Sequence, residues 1–147
     1  MKLIKLGLIS VFFLSLLLYL MSLLIPSRVR ISRAVNIDAS AETIQQRLTD
    51  MSHWDQWNEL ISEKTTVALV SVLPDTVVTS WKNRSTIVQG VFTIEHSAGV
   101  SVLQWYFDFH LRWYPWEKFG SIIFDKQIGP GMENSLNNLK KRIENSP

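Results

Sequence analysis

The most pronounced pattern in the chain is an apolar run from Leu6 to Ile25 that contains no charged residue. Pro26 follows it directly. At about 1.5 Å of rise per residue, a helix of this length spans roughly 30 Å, the thickness of a bilayer's hydrocarbon core. A buried helix of a globular domain would carry a polar stripe, which this run lacks. We therefore predict a transmembrane anchor over residues 1–27 and a separate domain over residues 28–147.

A cleaved signal peptide is the alternative interpretation of this run. Signal peptides have a shorter apolar core, about 7–15 residues, and end in small residues of the A-x-A kind. The run ends in MSLLI and offers no such site, which favours an uncleaved anchor. Lysines at positions 2 and 5 nearly balance Arg28, Arg30 and Arg33 on the other side. The short N-terminal tail places the domain on the extracytoplasmic side.

Alternating apolar and polar positions predict strands in the remainder of the chain. In the first strand, one face carries Val29, Ile31, Val35 and Ile37. Four more strands are predicted at Thr65–Leu73, Thr76–Trp81, Ser85–Glu95 and Val100–Arg112. Turns are predicted at Pro74–Asp75, Lys82–Arg84 and His96–Gly99.

Three helices are predicted after the first strand. Asp38 or Ser40 can cap a short helix over Ala41–Thr49, and Asp50 or Ser52 can cap a second one that carries Trp54 and Trp57. The last helix follows the apolar positions Phe119, Ile123, Phe124, Ile128, Met132, Leu136, Leu139 and Ile143. A kink or a short break in it is expected at Gly129-Pro130-Gly131, because proline removes one backbone donor. The predicted class is α+β, with an antiparallel sheet covered by the last helix.

This order of elements, read with four motifs, resembles the START-like superfamily (SRPBCC, polyketide cyclase/dehydrase and lipid transport). Val35–Glu42 is similar to the strand-to-helix opening of these domains, and Trp54-Asp55-Gln56-Trp57 to their W-x-x-W helix. Trp113–Phe119 and Asp125–Glu133 resemble the entry and kink of their C-terminal helix. A membrane-anchored bacterial subgroup begins like residues 1–30, which implies a single-pass protein of the bacterial inner membrane.

The resemblance implies a helix-grip fold, in which the sheet wraps around the C-terminal helix, and a cavity between the two for a small apolar ligand. Members usually have six strands between the helix pair and the last helix, whereas four are predicted here. A smaller sheet implies a shallower or more open cavity.

The strand Val100–Arg112 supplies most of the candidate ligand-binding residues. Its alternation places Ser101, Leu103, Trp105, Phe107, Phe109 and Leu111 on one face. Burial of one large apolar side chain is worth about 1.5–3 kcal/mol, so this row is expected to face the last helix. The predicted ligand-binding residues are Trp54, Trp57, Trp105, Phe107, Phe109, Ile123 and Phe124, with His53 at the cavity mouth. Plain core packing is the alternative for each aromatic residue taken singly.

Composition narrows the classes of function. A net charge of +2 is too small and too scattered for a nucleic-acid-binding surface. The chain has no cysteine, and its three histidines have no carboxylate cluster beside them, so neither a disulfide nor a metal site is predicted. No phosphate-binding loop or nucleophile motif is present, and no cofactor is predicted.

The preferred hypothesis is a non-catalytic, membrane-tethered domain that binds a lipid or another small hydrophobic molecule. The first alternative is a cyclase- or dehydrase-like enzyme that uses His53 or the Asp108–His110 pair, since a carboxylate can orient an imidazole. The second is a module that binds another protein of the cell envelope. Exposed tryptophans, if present, would indicate docking on the bilayer, because tryptophan favours membrane interfaces.

Overall fold

The computed structural model describes residues 2–84, 86–97 and 99–145. Its helices are α1 (Lys2–Leu24), α2 (Ala41–Thr49), α3 (Pro115–Ser121) and α4 (Phe124–Glu144), with a 3₁₀ helix at Met51–Gln56. Its strands are β1 (Arg28–Ile37), β2 (Thr65–Leu73), β3 (Thr76–Asn83), β4 (Thr86–Ser97) and β5 (Val100–His110).

The strands form one five-stranded antiparallel sheet in the order β1-β5-β4-β3-β2. Thr79 of β3 lies opposite Gly90 of β4, and Gly90 lies opposite Phe107 of β5. The α+β class and the helix-grip fold are therefore confirmed, with four strands between the helix pair and α4 in the described part of the chain.

Several predicted boundaries agree with the structure. Helix α2 has the predicted bounds, and the hydroxyl of Ser40 accepts a hydrogen bond from the backbone N–H of Thr43 at its start. The second short helix is a 3₁₀ helix that begins after Asp50 and contains Trp54, whereas Trp57 lies just beyond its last residue. The hairpin between β3 and β4 is tighter than predicted, because Lys82 and Asn83 belong to β3. Ala98, in the predicted turn between β4 and β5, lies outside the described residues.

Of the kink or short break predicted at Gly129-Pro130-Gly131, the break was wrong, and the kink stays a prediction. Helix α4 runs through Pro130 without interruption, and the separation from α3 falls at Ile122–Ile123. The two glycines serve close packing instead. A Cβ on Gly129 would overlap the guanidinium of Arg33, and a Cβ on Gly131 would lie 2.6 Å from Cδ2 of Leu60.

The chain groups into two compact units, Met1–Val29 with His110–Ile123, and Arg30–Phe109 with Phe124–Pro147. The second unit holds the packed core between the sheet, α2, the 3₁₀ helix and α4. Its buried apolar residues are Ile31, Ile37, Ile44, Leu48, Trp54, Trp57, Val77, Trp81, Phe92, Ile94, Leu103, Trp105, Phe107, Met132, Leu136, Leu139 and Ile143. These buried residues, which include the inward face of β5, pack the sheet against α4.

The first unit contains α1 and α3. Leu3–Leu24 is long and apolar enough to cross a membrane, and its apolar side chains are exposed. The side-chain ammonium of Lys118 donates to the carbonyl oxygen of Ile25 at 3.1 Å, beyond the end of α1. The predicted division between residues 27 and 28 stays a prediction.

Candidate functional site

An open cavity with an apolar wall lies in the second unit, between the sheet and the first turns of α4. Its volume is about 660 Å³, within the range of roughly 300–1,000 Å³ found for small-molecule sites. Its lining residues are Leu60, Ser62, Lys64, Thr65, Trp81, Asn83, Arg84, Thr86, Val88, Phe107, Phe109, Phe124, Gln127 and Ile128.

Aromatic rings from the sheet and from α4 form the apolar wall. Phe107 and Phe109 are two apart on β5, so both point to the same face, and their ring centroids lie 6.2 Å apart. Phe109 contacts Phe124 of α4 at 5.2 Å, and Phe107 contacts Trp81 of β3 at 5.3 Å in an edge-to-face arrangement. The rings therefore make a continuous row from β3 across β5 to the helix.

A hydrogen-bond network fixes Trp81 in this row. The indole N–H of Trp81 donates to the hydroxyl of Thr79 at 2.8 Å, and that hydroxyl donates to the carbonyl oxygen of Gly90 at 2.8 Å. A Cβ on Gly90 would lie 2.7 Å from the Trp81 indole nitrogen and 2.8 Å from Cε1 of Phe107. The absence of a side chain at position 90 thus lets both rings lie close to β4.

The cavity has a polar rim. Ser62 and Lys64 contribute to it from the segment before β2, and Thr65 from the first position of β2. Its other residues are Asn83, Arg84, Thr86 and Gln127. Arg84 has a φ of 53° in the β3–β4 hairpin, a left-handed conformation common in tight turns. An apolar wall with a polar rim suits an amphipathic molecule better than a fully polar one.

The predicted ligand-binding residues fall into three groups. Phe107, Phe109 and Phe124 line the cavity. Trp54 and Trp105 lie in the packed core, where Trp105 stacks on Phe92 with 4.8 Å between ring centroids. The indole N–H of Trp54 donates to the carbonyl oxygen of Leu48 at 3.1 Å.

The remaining three predicted residues lie elsewhere. Ile123 is exposed and belongs to the first unit. His53 and Trp57 line a second groove, of about 620 Å³, which also contains Arg47, Lys141 and Arg142. Three cationic side chains and the carboxylate of Asp50 line this groove, in contrast to the aromatic cavity.

Sequence reasoning missed Trp81, Ile128 and Leu60 as lining residues. Trp81 shares a face of β3 with the buried Val77 and Thr79, so alternation could have placed it in the interior. Ile128 lies four residues after Phe124, on the same face of α4. Leu60 lies in a segment without periodicity, and no sequence signal marks it.

The side chains considered for catalysis either form an ion pair or are exposed. Asp108 accepts two hydrogen bonds of 2.7 Å from the guanidinium of Arg30, which raise the pKa of Arg30 above its ordinary value. The same guanidinium lies 4.1 Å from the ring centroid of Tyr106. His110 is exposed at the end of β5.

His53 pairs with a carboxylate at the surface. Its Nδ1 lies 2.8 Å from Oδ2 of Asp50, and the hydroxyl of Ser52 donates to Oδ1 of Asp50 at 2.5 Å. The hydrogen bond from Ser52, and next that from His53, lower the pKa of Asp50. More than half of the His53 side chain is exposed. Among the described residues, no group of three histidines, cysteines or carboxylates could hold a metal ion.

Comparison with solved structures finds the same fold in proteins of low sequence identity. The di-domain ARO/CYC protein BexL matches with a TM-score of 0.61 and 12% identity over 82% of this chain and 52% of its own. MLL2253 from Mesorhizobium loti matches with a TM-score of 0.61 and 13% identity over 81% of this chain and 99% of its own. DynU16, from the dynemicin biosynthetic locus, matches with a TM-score of 0.57 and 16% identity over 79% of this chain.

These matches confirm the predicted fold, an antiparallel sheet with a long C-terminal helix. The chain spans about half the length of DynU16 and of BexL, 47% and 52% respectively. No protein-family model matches the chain, and no curated protein sequence does.

Proposed function

We propose that this chain is a membrane-tethered domain that binds a lipid or another small hydrophobic molecule, without catalysis, in the cavity between the sheet and α4. The observation that carries the proposal is the row of Trp81, Phe107, Phe109 and Phe124 along a cavity of about 660 Å³. The neighbour BexL, named as an ARO/CYC protein of a biosynthetic pathway, supports a small-molecule role for this fold.

Apolar burial alone supplies useful affinity in such a site. Each buried methylene of an acyl chain contributes about 0.8 kcal/mol. Several methylenes against the aromatic wall therefore offset the cost of immobilising a ligand without help from a reactive group. The polar rim, which includes Ser62 and Gln127, would hold a headgroup at the solvent boundary.

The non-catalytic part of the proposal rests on where the candidate reactive groups lie. His53 is paired with Asp50 at an exposed site, and His110 is exposed at the end of β5. A general base needs a cleft in which substrate and base meet. Neither histidine lines the aromatic cavity.

The tether rests on α1, whose length and apolar composition match a bilayer span. The intact mass of the chain, recovered from the membrane fraction after carbonate washing, tests this part. Retention of residues 1–27 supports the tether, whereas a mass that starts beyond position 25 would show a cleaved signal peptide.

The binding part is tested with cis-parinaric acid, a fluorescent fatty acid, and the full chain in lipid nanodiscs. Val88→Phe fills the cavity from β4, so it should weaken binding about tenfold, equivalent to ~1.4 kcal/mol. Ile87→Phe is the matched control, because Ile87 is 65% exposed on the opposite face of the same strand. Equal binding by the two variants would refute a ligand site in this cavity.

A further inference from the structure

Three aromatic residues at the start of α3 form an exposed stack. The rings of Tyr114 and Trp116 are nearly parallel, at 10°, with centroids 4.8 Å apart. Trp113 also contacts Tyr114, with 4.7 Å between their ring centroids. The three rings contact one another, and yet Trp113 and Trp116 are exposed.

The exposure of these rings is unusual for residues of their size. Trp113 is 66% exposed and Trp116 is 69% exposed, whereas Trp54 and Trp105 are almost completely buried. Ile122 and Ile123, which follow α3, are 64% and 49% exposed. Several large apolar side chains exposed within eleven residues of the chain point to an interaction site.

Contacts within the first unit tie this segment to the end of α1. The ammonium of Lys118, which is buried, donates to the carbonyl oxygen of Ile25 at 3.1 Å. This bond satisfies a carbonyl left unpaired beyond the C-terminal end of α1. The backbone N–H of Leu111 also donates to the carbonyl oxygen of Ser27 at 2.8 Å. The segment is thus fixed where the apolar run of the chain ends.

We propose that residues 113–123 insert into the membrane interface, with Trp113, Trp116, Ile122 and Ile123 in contact with lipid. This inference rests on the proposed membrane tether and not on the cavity. The ends of a transmembrane helix lie at headgroup level, and tryptophan and tyrosine are enriched there because their rings are apolar with one polar group. Arg28 and Arg112, both exposed in the same unit, favour anionic headgroups.

A lipid surface explains these observations better than a protein partner does. The exposed rings belong to the same unit as the apolar run, in which Lys118 of α3 donates to the carbonyl oxygen of Ile25. The cations flanking the stack also match the interface of an anionic bilayer.

The test uses the full chain in nanodiscs of phosphatidylglycerol and brominated phosphatidylcholine, with bromine either near the headgroup or near the chain end. Two of the six tryptophans are in the exposed stack. We expect bromine near the headgroup to quench the wild-type emission more strongly than bromine near the chain end. Trp113→Phe/Trp116→Phe should lose most of this quenching, whereas Trp57→Phe, which removes a buried ring, should retain it.

Equal quenching in the wild-type chain and in Trp113→Phe/Trp116→Phe would overturn the inference, as would stronger quenching by bromine near the chain end. The binding of cis-parinaric acid is measured on the same nanodiscs. If the wild-type chain shows the expected quenching by bromine near the headgroup but does not bind cis-parinaric acid, the cavity proposal alone is refuted. Release of the chain by carbonate would refute the tether and this inference together.

Discussion

The indole nitrogen of Trp81 lies 2.8 Å from the hydroxyl oxygen of Thr79, two residues earlier on the same face of β3. Through this hydrogen bond a buried threonine orients the largest ring of the cavity wall. The same hydroxyl donates to the carbonyl oxygen of Gly90, so the neighbouring strand β4 also helps to hold Trp81 in place. The shape of the cavity therefore depends on two positions that do not line it, Thr79 and Gly90.

Gly90→Ala should reshape the cavity and destabilise the fold. Its Cβ would meet the rings of Trp81 and Phe107 at less than 3 Å, and both rings are held by packed neighbours. Overpacking of this kind costs about 1–3 kcal/mol. Chemical unfolding should show this loss in the free energy of unfolding, and binding of cis-parinaric acid should weaken in parallel.

Gly120→Ala is the control for this substitution, because no heavy atom lies within 4 Å of its added Cβ. In helix α3 alanine is favoured over glycine by up to about 1 kcal/mol. The control should be neutral or slightly stabilising. A neutral Gly90→Ala variant would show that Trp81 and Phe107 move freely, contrary to the packing described above.

Asp108→Asn should lower stability only slightly. The ion pair of Asp108 with Arg30 has good bidentate geometry, but the two side chains are 35% and 58% exposed. Exposed pairs are worth about 1 kcal/mol or less, and salt screens them. Thermal unfolding at low and high salt should show a loss in melting temperature that shrinks as salt is added.

Asp55→Asn serves as the matched control, since Asp55 is exposed and forms no ion pair among the described residues. Its effect should not depend on salt. A large, salt-independent loss for Asp108→Asn would instead indicate a role for Asp108 beyond the surface pair.

Ser52→Ala should raise the pKa of Asp50 toward the ordinary aspartate value of about 3.9. The hydroxyl of Ser52 is the main hydrogen-bond donor that lowers this pKa, ahead of His53. A lowered folded-state pKa means that the carboxylate contributes stability above the unfolded-state pKa, and that this contribution is lost as pH falls through the folded-state pKa. Carbon-detected NMR titration of the carboxyl group measures the shift directly.

Ser62→Ala is the control for this titration, because the Ser62 hydroxyl lies 2.9 Å from that of Thr65, away from Asp50. It should leave the titration of Asp50 unchanged. An Asp50 pKa that stays low in Ser52→Ala would assign the shift to His53 instead.

Local pattern was sufficient for most of the elements. The bounds of β2 and α2 were predicted without knowledge of their neighbours. The alternation in Thr65–Leu73 depends only on strand geometry, and the spacing of Ile44 and Leu48 depends only on helix geometry. The break at Pro130 was predicted from local propensity too, and it failed. The long helix α4 tolerates the loss of the one backbone hydrogen bond that Pro130 cannot donate. Gly129 and Gly131 are needed in this helix for close contacts with Arg33 and Leu60.

The sequence by itself determined the α+β class, the apolar helix and the inward face of β5, since each depends on the order of residues along a single element. Only the tertiary structure decided which of the inward-facing aromatic rings line the cavity. Trp105 and Phe107 share one face of β5, yet Trp105 stacks on Phe92 in the core and Phe107 lines the cavity. Whether a ring is enclosed depends on strand register and on residues distant in the chain, such as Gly90 and Leu60, and no local pattern encodes that arrangement.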